Sequence, residues 1–283
     1  MRLDFSIEEA IRIRTSVRSY SDCSLNNATL EKLHAYMKTL SNPFSGRVRF
    51  RLLESDVIES EKLGTYGMIK GAKYFIGAAV ENGDMALEAL GYELEQLVLY
   101  ATSLELGTCW LGGTFNRGRF AKAMEVQQNE VFPIVTPIGY ASDKKRIVPS
   151  LIRKFGKFDQ RKPWDTLFFD SSFSVPLLQE DAKEYATVLE HVRLGPSASN
   201  LQPWRVVRQG YTYHFYEAKS KGYAERAPYD IQKVDMGIAA CHFHLSAKEK
   251  GLDGEFQKLS GGVPDAPENT CYMFTWAAKA EIE

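Results

Sequence analysis

The second half of this chain repeats the order of the first, and that repetition constrains its fold more than any other feature of the sequence. Residues 99–115, LYATSLELGTCWLGGTF, and residues 243–256, FHLSAKEKGLDGEF, both read as the end of a long helix closed by a glycine, Gly107 and Gly251. Upstream, SNPFSGRVRFRLLE (41–54) lies over PSASNLQPWRVVRQ (196–209), each a turn-rich stretch running into a strand. An internal duplication accounts for both overlays, with one half in residues 1–155 and the other in 156–283. Two α+β halves that share an element order by chance are the other reading of the same pattern.

Local signals fill in each half. Ser6 and Glu9 have capping-box spacing, and Ile7, Ala10 and Ile11 share one face of a first helix. Asn27 or Thr29 begins a second helix that runs to about Met37. Val48, Phe50 and Leu52 alternate as in a half-buried strand, and KYFIGAAVE reads as a buried one. From Met85 to Leu106 apolar residues recur so broadly at helical spacing that this helix is expected to be buried around much of its circumference. A glycine-rich loop, GTCWLGGTFNRG, then leads to a short helix near 117–125 and the strand VFPIVTPIGYA. The second half offers a helix near 178–193, a strand from Trp204, a long helix near 232–250 and the strand TCYMFTWAA.

Composition excludes several function classes. At 283 residues and 44% hydrophobic content the chain can bury one large core or two modest ones. Its 35 basic and 36 acidic residues nearly cancel, so no overall field draws in nucleic acid or an anionic membrane. Cys23, Cys109, Cys241 and Cys271 are scattered and form no CxxC pair, which argues against a disulfide framework or a zinc ribbon and for a reducing, cytoplasmic setting. MRLDFSIEEAIRIR is charged throughout, and no apolar run nears the roughly 18 residues of a membrane span. The chain lacks GxxxxGK, a GxGxxG after a strand, and HExxH. His242 and His244 point about 200° apart on a helix and make poor joint metal ligands. Tyr211, Tyr213 and Phe215 alternate beyond Gly210 as a hairpin face packed on the core.

The stretch RLGPSASNLQPWRVV (193–207) is not covered by turn chemistry alone, because it concentrates small hydroxyl and amide side chains before Trp204. Together with RTSVRSY near the start, LGTCWLGGTF after the long helix and PIGYASDKKR, it resembles the FMN-dependent nitroreductase family over most of the chain. In that family two subunits usually share each flavin. The chain is therefore similar to the subgroup in which two nitroreductase-like halves are fused. The resemblance implies an α+β fold, a nitroreductase-like α/β sandwich of two degenerate repeats forming an intramolecular pseudo-dimer. That allows a monomer, since the family's dimer would lie within one chain. The implied activity is oxidoreduction: hydride from NAD(P)H through FMN to a nitroaromatic, quinone or similar electron-poor acceptor, in ping-pong fashion and with no catalytic side chain. An oxygen-using relative that fragments its flavin, or a flavin-binding protein without turnover, are the alternatives.

Residue by residue, the resemblance assigns Arg14, Ser16 and Arg18 to the flavin phosphate and ribityl chain. Taken alone, they read equally as a solvated basic face at a helix end. Tyr66, Met68, Ile69 and Lys70 match the segment beside the flavin pyrimidine, although a lysine before a strand is also ordinary surface. Leu111, Gly112 and Gly113 match the N5-side loop, where glycines admit positive φ and let a backbone N–H approach a ligand; a helix cap with a tight turn reads the same. Pro196, Ser197, Ser199 and Asn200 match the segment that the second half contributes, or else form a plain turn into a strand. Lys144, Lys145 and Arg146 fall where the family adds phosphate ligands. The first half has SNPFSGRVR in place of PSASNLQPW, and the second, at KFDQRKPWDTLFF, has no Arg-x-Ser-x-Arg. The expectation is one FMN per chain, with the second site degenerate.

Overall fold

A computed structural model describes residues 4–55, 65–142, 160–220, 229–259 and 262–279. Lys144, Lys145 and Arg146 lie outside them. The chain divides into two compact units, Asp4–Phe155 and the part from Gly156 to Glu283.

In the first unit, α1 (Ile7–Ile13) starts at Ser6, whose hydroxyl accepts the Glu9 N–H at 3.2 Å and satisfies an otherwise unpaired helix-end donor. Helix α2 (Asn27–Met37) is capped in the same way by Asn26 on Thr29. Strands β1 (Val48–Glu54) and β2 (Tyr74–Glu81) follow, then α3 (Ala86–Ser103), the two-residue β3 (Gly107–Thr108), α4 (Arg117–Met124) and β4 (Glu130–Gly139). The sheet runs β1-β2-β4-β3, antiparallel throughout. In the second unit β5 (Phe168–Asp170) precedes α5 (Ala186–Leu194), β6 (Trp204–Gln209), β7 (Thr212–Ala218), α6 (Gln232–Glu249), β8 (Gly254–Gln257) and β9 (Thr270–Ala278). Its sheet runs β5-β6-β7-β9-β8, with β5 parallel to β6.

Removing β5 leaves β6-β7-β9-β8, the order of β1-β2-β4-β3. In each unit an 18-residue helix connects the second strand to the short edge strand. Both sheets also carry a bulge at the same pairing, between Ala78 and Val80 on β2 and between Phe215 and Tyr216 on β7. A bulge bends and twists a strand, so its recurrence gives both sheets the same local distortion under the helix.

Helix α3 is buried along nearly its whole length, as its broad apolar pattern predicts. That leaves Glu88, Glu93 and Glu95 inside the protein. The Trp110 indole N–H donates to Glu95 at 3.0 Å, and the Asn42 amide donates to Glu93. Helix α6 is buried in the same way. His242, wholly enclosed, bonds through Nδ1 to the His191 carbonyl at 2.7 Å, and His244 packs against Phe256 and Trp276. Among the described residues no group of three His, Cys, Asp or Glu side chains could hold a metal ion. Likewise no described helix is long and apolar enough to cross a membrane. On the β6-β7 hairpin, Tyr213 and Phe215 face the core as expected, but Tyr211 does not: it is 71% exposed, because it occupies the turn beside Gly210 rather than the strand.

Burial pushes the Glu93 carboxyl up from 4.5 to about 7, a rise that the Asn42 hydrogen bond partly opposes. The folded chain keeps a proton that the unfolded chain loses near 4.5. Stability should therefore decline as pH rises from about 4.5 through about 7. Glu93→Gln should flatten that part of the profile, measured as urea midpoints across the range. The flattening should be partial, because Glu217 and Asp235 are shifted in the same direction. An unchanged slope would show that Glu93 ionises without cost.

Candidate functional site

The site in the first unit is built on the extended segment that leaves α1. Helix α1 ends at Arg14, after which the backbone runs straight and makes two parallel bridges, Ser16 with Thr108 and Ser19 with Lys70. The Val17 N–H donates to the Thr108 carbonyl at 2.8 Å. The Lys70 N–H donates to Arg18 at 3.0 Å, and the Tyr20 N–H returns to Lys70 at 2.9 Å. The structure thus ties the predicted stretches 14–18 and 66–70 to each other and to β3, from which the 111–113 loop follows in the chain.

Two glycines make that crossing possible. A Cβ on Gly107 would lie 2.6 Å from Val17 Cγ2. One on Gly71, whose φ is +73°, would lie 2.6 Å from the Tyr20 carbonyl oxygen. Side chains alternate along an extended segment, so Arg14, Ser16 and Arg18 fall on one side of it. All three act on the Cys109 thiol. Burial raises its pKa, while the Arg18 charge, the Ser16 hydrogen bond and the Arg14 charge oppose the rise. The Arg14 Nε is buried and has no hydrogen-bond partner among the described residues.

The 111–113 loop differs from expectation in two respects. Leu111 turns its side chain into the core, 3% exposed, and exchanges both backbone hydrogen bonds with Val135, so its N–H has no free direction toward a ligand. Nor does Gly112 adopt positive φ; the described glycines that do are Gly67, Gly71, Gly210 and Gly251. The N–H groups of Gly112 and Gly113 bond to no other backbone group in the described structure. A Cβ added to Gly113 would meet nothing within 4 Å, so one side of the loop is open. Arg117 braces it by donating to the Gly112 carbonyl at 2.9 Å. Beside Lys70, Tyr66 is 74% exposed with φ +47°, while Met68 and Ile69 are half-buried.

In the second unit, the Pro196–Asn200 segment is a strained turn. Ser199, Asn200 and Gln202 all have positive φ, at 49°, 56° and 48°. Non-glycine residues held there cost about 1–3 kcal/mol each, so neighbours must over-determine the conformation. The Ser197 hydroxyl accepts the Gln202 N–H at 2.8 Å, and a carboxylate oxygen of Asp235 accepts the Ala198 N–H at 3.0 Å. The Asn200 amide donates to the Gln160 carbonyl at 2.7 Å and accepts from Arg161 at 3.1 Å. Pro196 is half-buried.

These bonds bring in residues that sequence reasoning passed over. Arg161 also donates to the Leu194 carbonyl at 3.1 Å, and the Lys162 N–H donates to the Gln202 side chain at 2.7 Å. The Lys162 ammonium reaches only the Gln202 carbonyl, at 3.4 Å, and Arg205 donates to the Gln202 and Trp204 carbonyls at 3.0 and 2.6 Å. Neither Lys162 nor Arg205 has a carboxylate partner among the described residues. Burial first, and then the Arg205 charge, pulls Lys162 down from 10.5 to about 8. Burial likewise lowers Arg205. The signal was the pair of cations in QRKPW, which sequence analysis treated only as a missing motif.

The equivalent loop of the first unit has a different use. Asn42 donates to the Gly46 carbonyl and to Glu93, and accepts the N–H groups of Phe44 and Gly46. Its whole hydrogen-bonding capacity goes into the loop and α3.

A fold of two sheets that share one antiparallel four-strand order, each with a long buried helix, is that of a nitroreductase-like protein. Residues 6–247 match the family described as "Putative TM nitroreductase". The chain belongs to that family, and is thereby an oxidoreductase. No curated protein matches its sequence. Among solved structures it is similar in fold to a "putative nitroreductase" of Thermotoga maritima MSB8, with a TM-score of 0.62 and 19% identity over 98% of this chain and 95% of that one. A "putative nitroreductase in complex with FMN" from Desulfovibrio desulfuricans matches 53% of this chain and 96% of its own, at TM-score 0.39 and 20% identity. A "Putative NADH Oxidase" of Clostridium acetobutylicum matches 48% and 89%, at 0.39 and 21%.

Two substitutions separate the scaffold from the site. Gly71→Ala combines positive φ with a clash on Tyr20 and should destabilise by more than about 1 kcal/mol. It should also raise amide exchange at Tyr20 and Lys70, and unchanged exchange there would remove Gly71 from the crossing. Asn42→Ala leaves buried partners unsatisfied and should cost about 1–3 kcal/mol in a denaturant titration.

Proposed function

We propose that the chain binds one FMN and uses NADH or NADPH to reduce an electron-poor small molecule, such as a nitroaromatic or a quinone. The observation that carries this reading is the joining of the 14–18 segment by backbone hydrogen bonds to Lys70 and to Thr108 of β3, three residues before the 111–113 loop. Family membership supports it from a separate direction.

The residues present fit a flavin mononucleotide. Arg14 and Arg18 are cations for a phosphate, and the Arg14 Nε is a buried donor lacking an acceptor. Charge-assisted hydrogen bonds from such donors are the strong ones. Ser16 adds an exposed hydroxyl on the same side. Lys70 is exposed and would stabilise negative charge at the pyrimidine edge, with Tyr66, Met68 and Ile69 flanking it. The N–H groups of Gly112 and Gly113, without a backbone partner among the described residues, suit the N5 edge. In the second unit, the Ser197 hydroxyl accepts from Gln202 and keeps its own proton to donate. Ser199 is exposed, and Pro196 offers an apolar edge. Asn200 holds the turn to Gln160 and Arg161, while Arg161, Lys162 and Arg205 surround it with positive charge. The bound flavin would supply the hydride chemistry, so the chain's part is to hold, orient and leave room. One FMN per chain follows from the asymmetry, since Asn42 commits the first unit's loop to structure and the second half lacks Arg-x-Ser-x-Arg.

Flavin released by heat should be FMN at a ratio near one per chain, and NADH or NADPH should bleach it without oxygen. Arg14→Ala and Lys162→Ala, one in each unit, should each weaken FMN binding by roughly ten- to a hundred-fold, the loss of about 1.5–3 kcal/mol for a charged hydrogen bond. Asn42→Ala should bind normally once its lower stability is allowed for. A ratio approaching two would overturn the asymmetry. Failure of both nicotinamides to bleach a bound FMN would overturn the reductase.

A further inference from the structure

Behind the Pro196–Asn200 turn lies a group of carboxyls that the reading above does not use. Asp235, on the buried face of α6, accepts the Ala198 N–H through Oδ1, while its Oδ2 is buried with no hydrogen-bond partner. Glu217, near the end of β7, is fully buried with neither carboxyl oxygen in a hydrogen bond to a described donor. Asp230, just before α6, acts on both as a neighbouring charge. The cations facing this group are Lys219, 3.6 Å from Asp230, and Lys233 on α6; the Cys271 thiol on β9 faces Lys219. Among the described residues no cation acts on Asp235 itself.

We propose that Asp235 is the positioning residue of the Pro196–Asn200 turn, and that its grouping with Glu217 and Asp230 makes this hold respond to pH. As an assignment within the flavin site, it rests on the proposed function. The turn needs such a hold: Ser199 and Asn200 stand at positive φ, as does Gln202 just beyond, and the Asp235 bond fixes Ala198 immediately before the first of them. Strain of this kind persists only where the surroundings impose it.

The direction of the pH response follows from linkage. Burial raises the Asp235 carboxyl well above its ordinary value, the Ala198 hydrogen bond only partly offsets this, and Glu217 and Asp230 raise it further. Glu217 is raised too, first by burial and then by Asp230. With these carboxyls protonated, Asp235 accepts from Ala198 without any buried charge. As pH rises they ionise side by side, and any opening that hydrates them is favoured. The turn should therefore loosen on the alkaline side.

The test follows the Ala198 amide in the flavin-free protein, so it does not depend on whether FMN binds. Between about pH 6 and about pH 9 its protection factor, already corrected for the intrinsic rate, should fall roughly ten-fold or more in wild type and stay flat in Asp235→Asn, which keeps the acceptor and cannot ionise. Glu217→Gln should reduce the fall. At about pH 7, Asp235→Ala should weaken FMN binding by roughly ten-fold, and Asp235→Asn should recover most of that loss. Far-ultraviolet circular dichroism establishes that each variant is folded. An equal fall in Asp235→Asn, or an Asp235→Ala protein that binds FMN like wild type, would overturn the inference. If wild type binds no FMN, the flavin reading fails, while the Ala198 titration still decides the proton-linked hold.

Discussion

Each unit depends on one long helix with almost no exposed face, and on the turn before one strand, β1 or β6, being fastened to that helix. Eighteen residues of enclosed helix bury a large apolar area, at roughly 25 cal/mol per Å². The same enclosure makes every polar side chain on the helix expensive unless it finds a partner. The carboxyls of Glu93, Glu95 and Asp235 are therefore not surface charge that happens to lie inward. Each is hydrogen-bonded to a group whose position matters: the Asn42 amide, the Trp110 indole and the Ala198 N–H.

Divergence between the halves is easiest to see at those fastenings. In the first unit Asn42 closes the turn on itself and on Glu93, and Gly46 packs so closely on α3 that a Cβ would lie 2.4 Å from Ala89 Cβ. In the second, the turn is held by Ser197, Asp235 and the Arg161–Asn200 bond. One sheet order thus supports two differently used loops. A duplicated fold can lose a site at one copy this way without losing stability, because the replacement residues supply hydrogen bonds of their own.

How far the sequence could be read follows from the same physics. Helix α3, β2 and β4 were legible because their burial is expressed as long apolar runs. Strands β3, β5 and β8 were not: β3 has two residues and β5 three, and β8 alternates half-buried with exposed positions. Such elements exist because a neighbouring strand offers its edge, which no local window contains. At the candidate site, the alternation of Arg14, Ser16 and Arg18 matches the extended segment after α1. The surroundings of Leu111 were not legible, because burial of its side chain and its pairing with Val135 are tertiary facts. Arg161 was missed for a similar reason, as its meaning depends on Asn200, 39 residues away.

The crossing of 14–20 over β3 and Lys70 explains why the family's motifs are loose singly and specific together. Arg-x-Ser-x-Arg has the right side chains only if its backbone stays extended, and it stays extended only if Thr108 and Lys70 accept its edges. They can do so only because Gly107 and Gly71 leave room for Val17 and Tyr20. No one of these residues specifies a ligand site. What the structure shows is their mutual requirement, which ties the glycine after α3 to the arginines after α1 within one hydrogen-bonded framework.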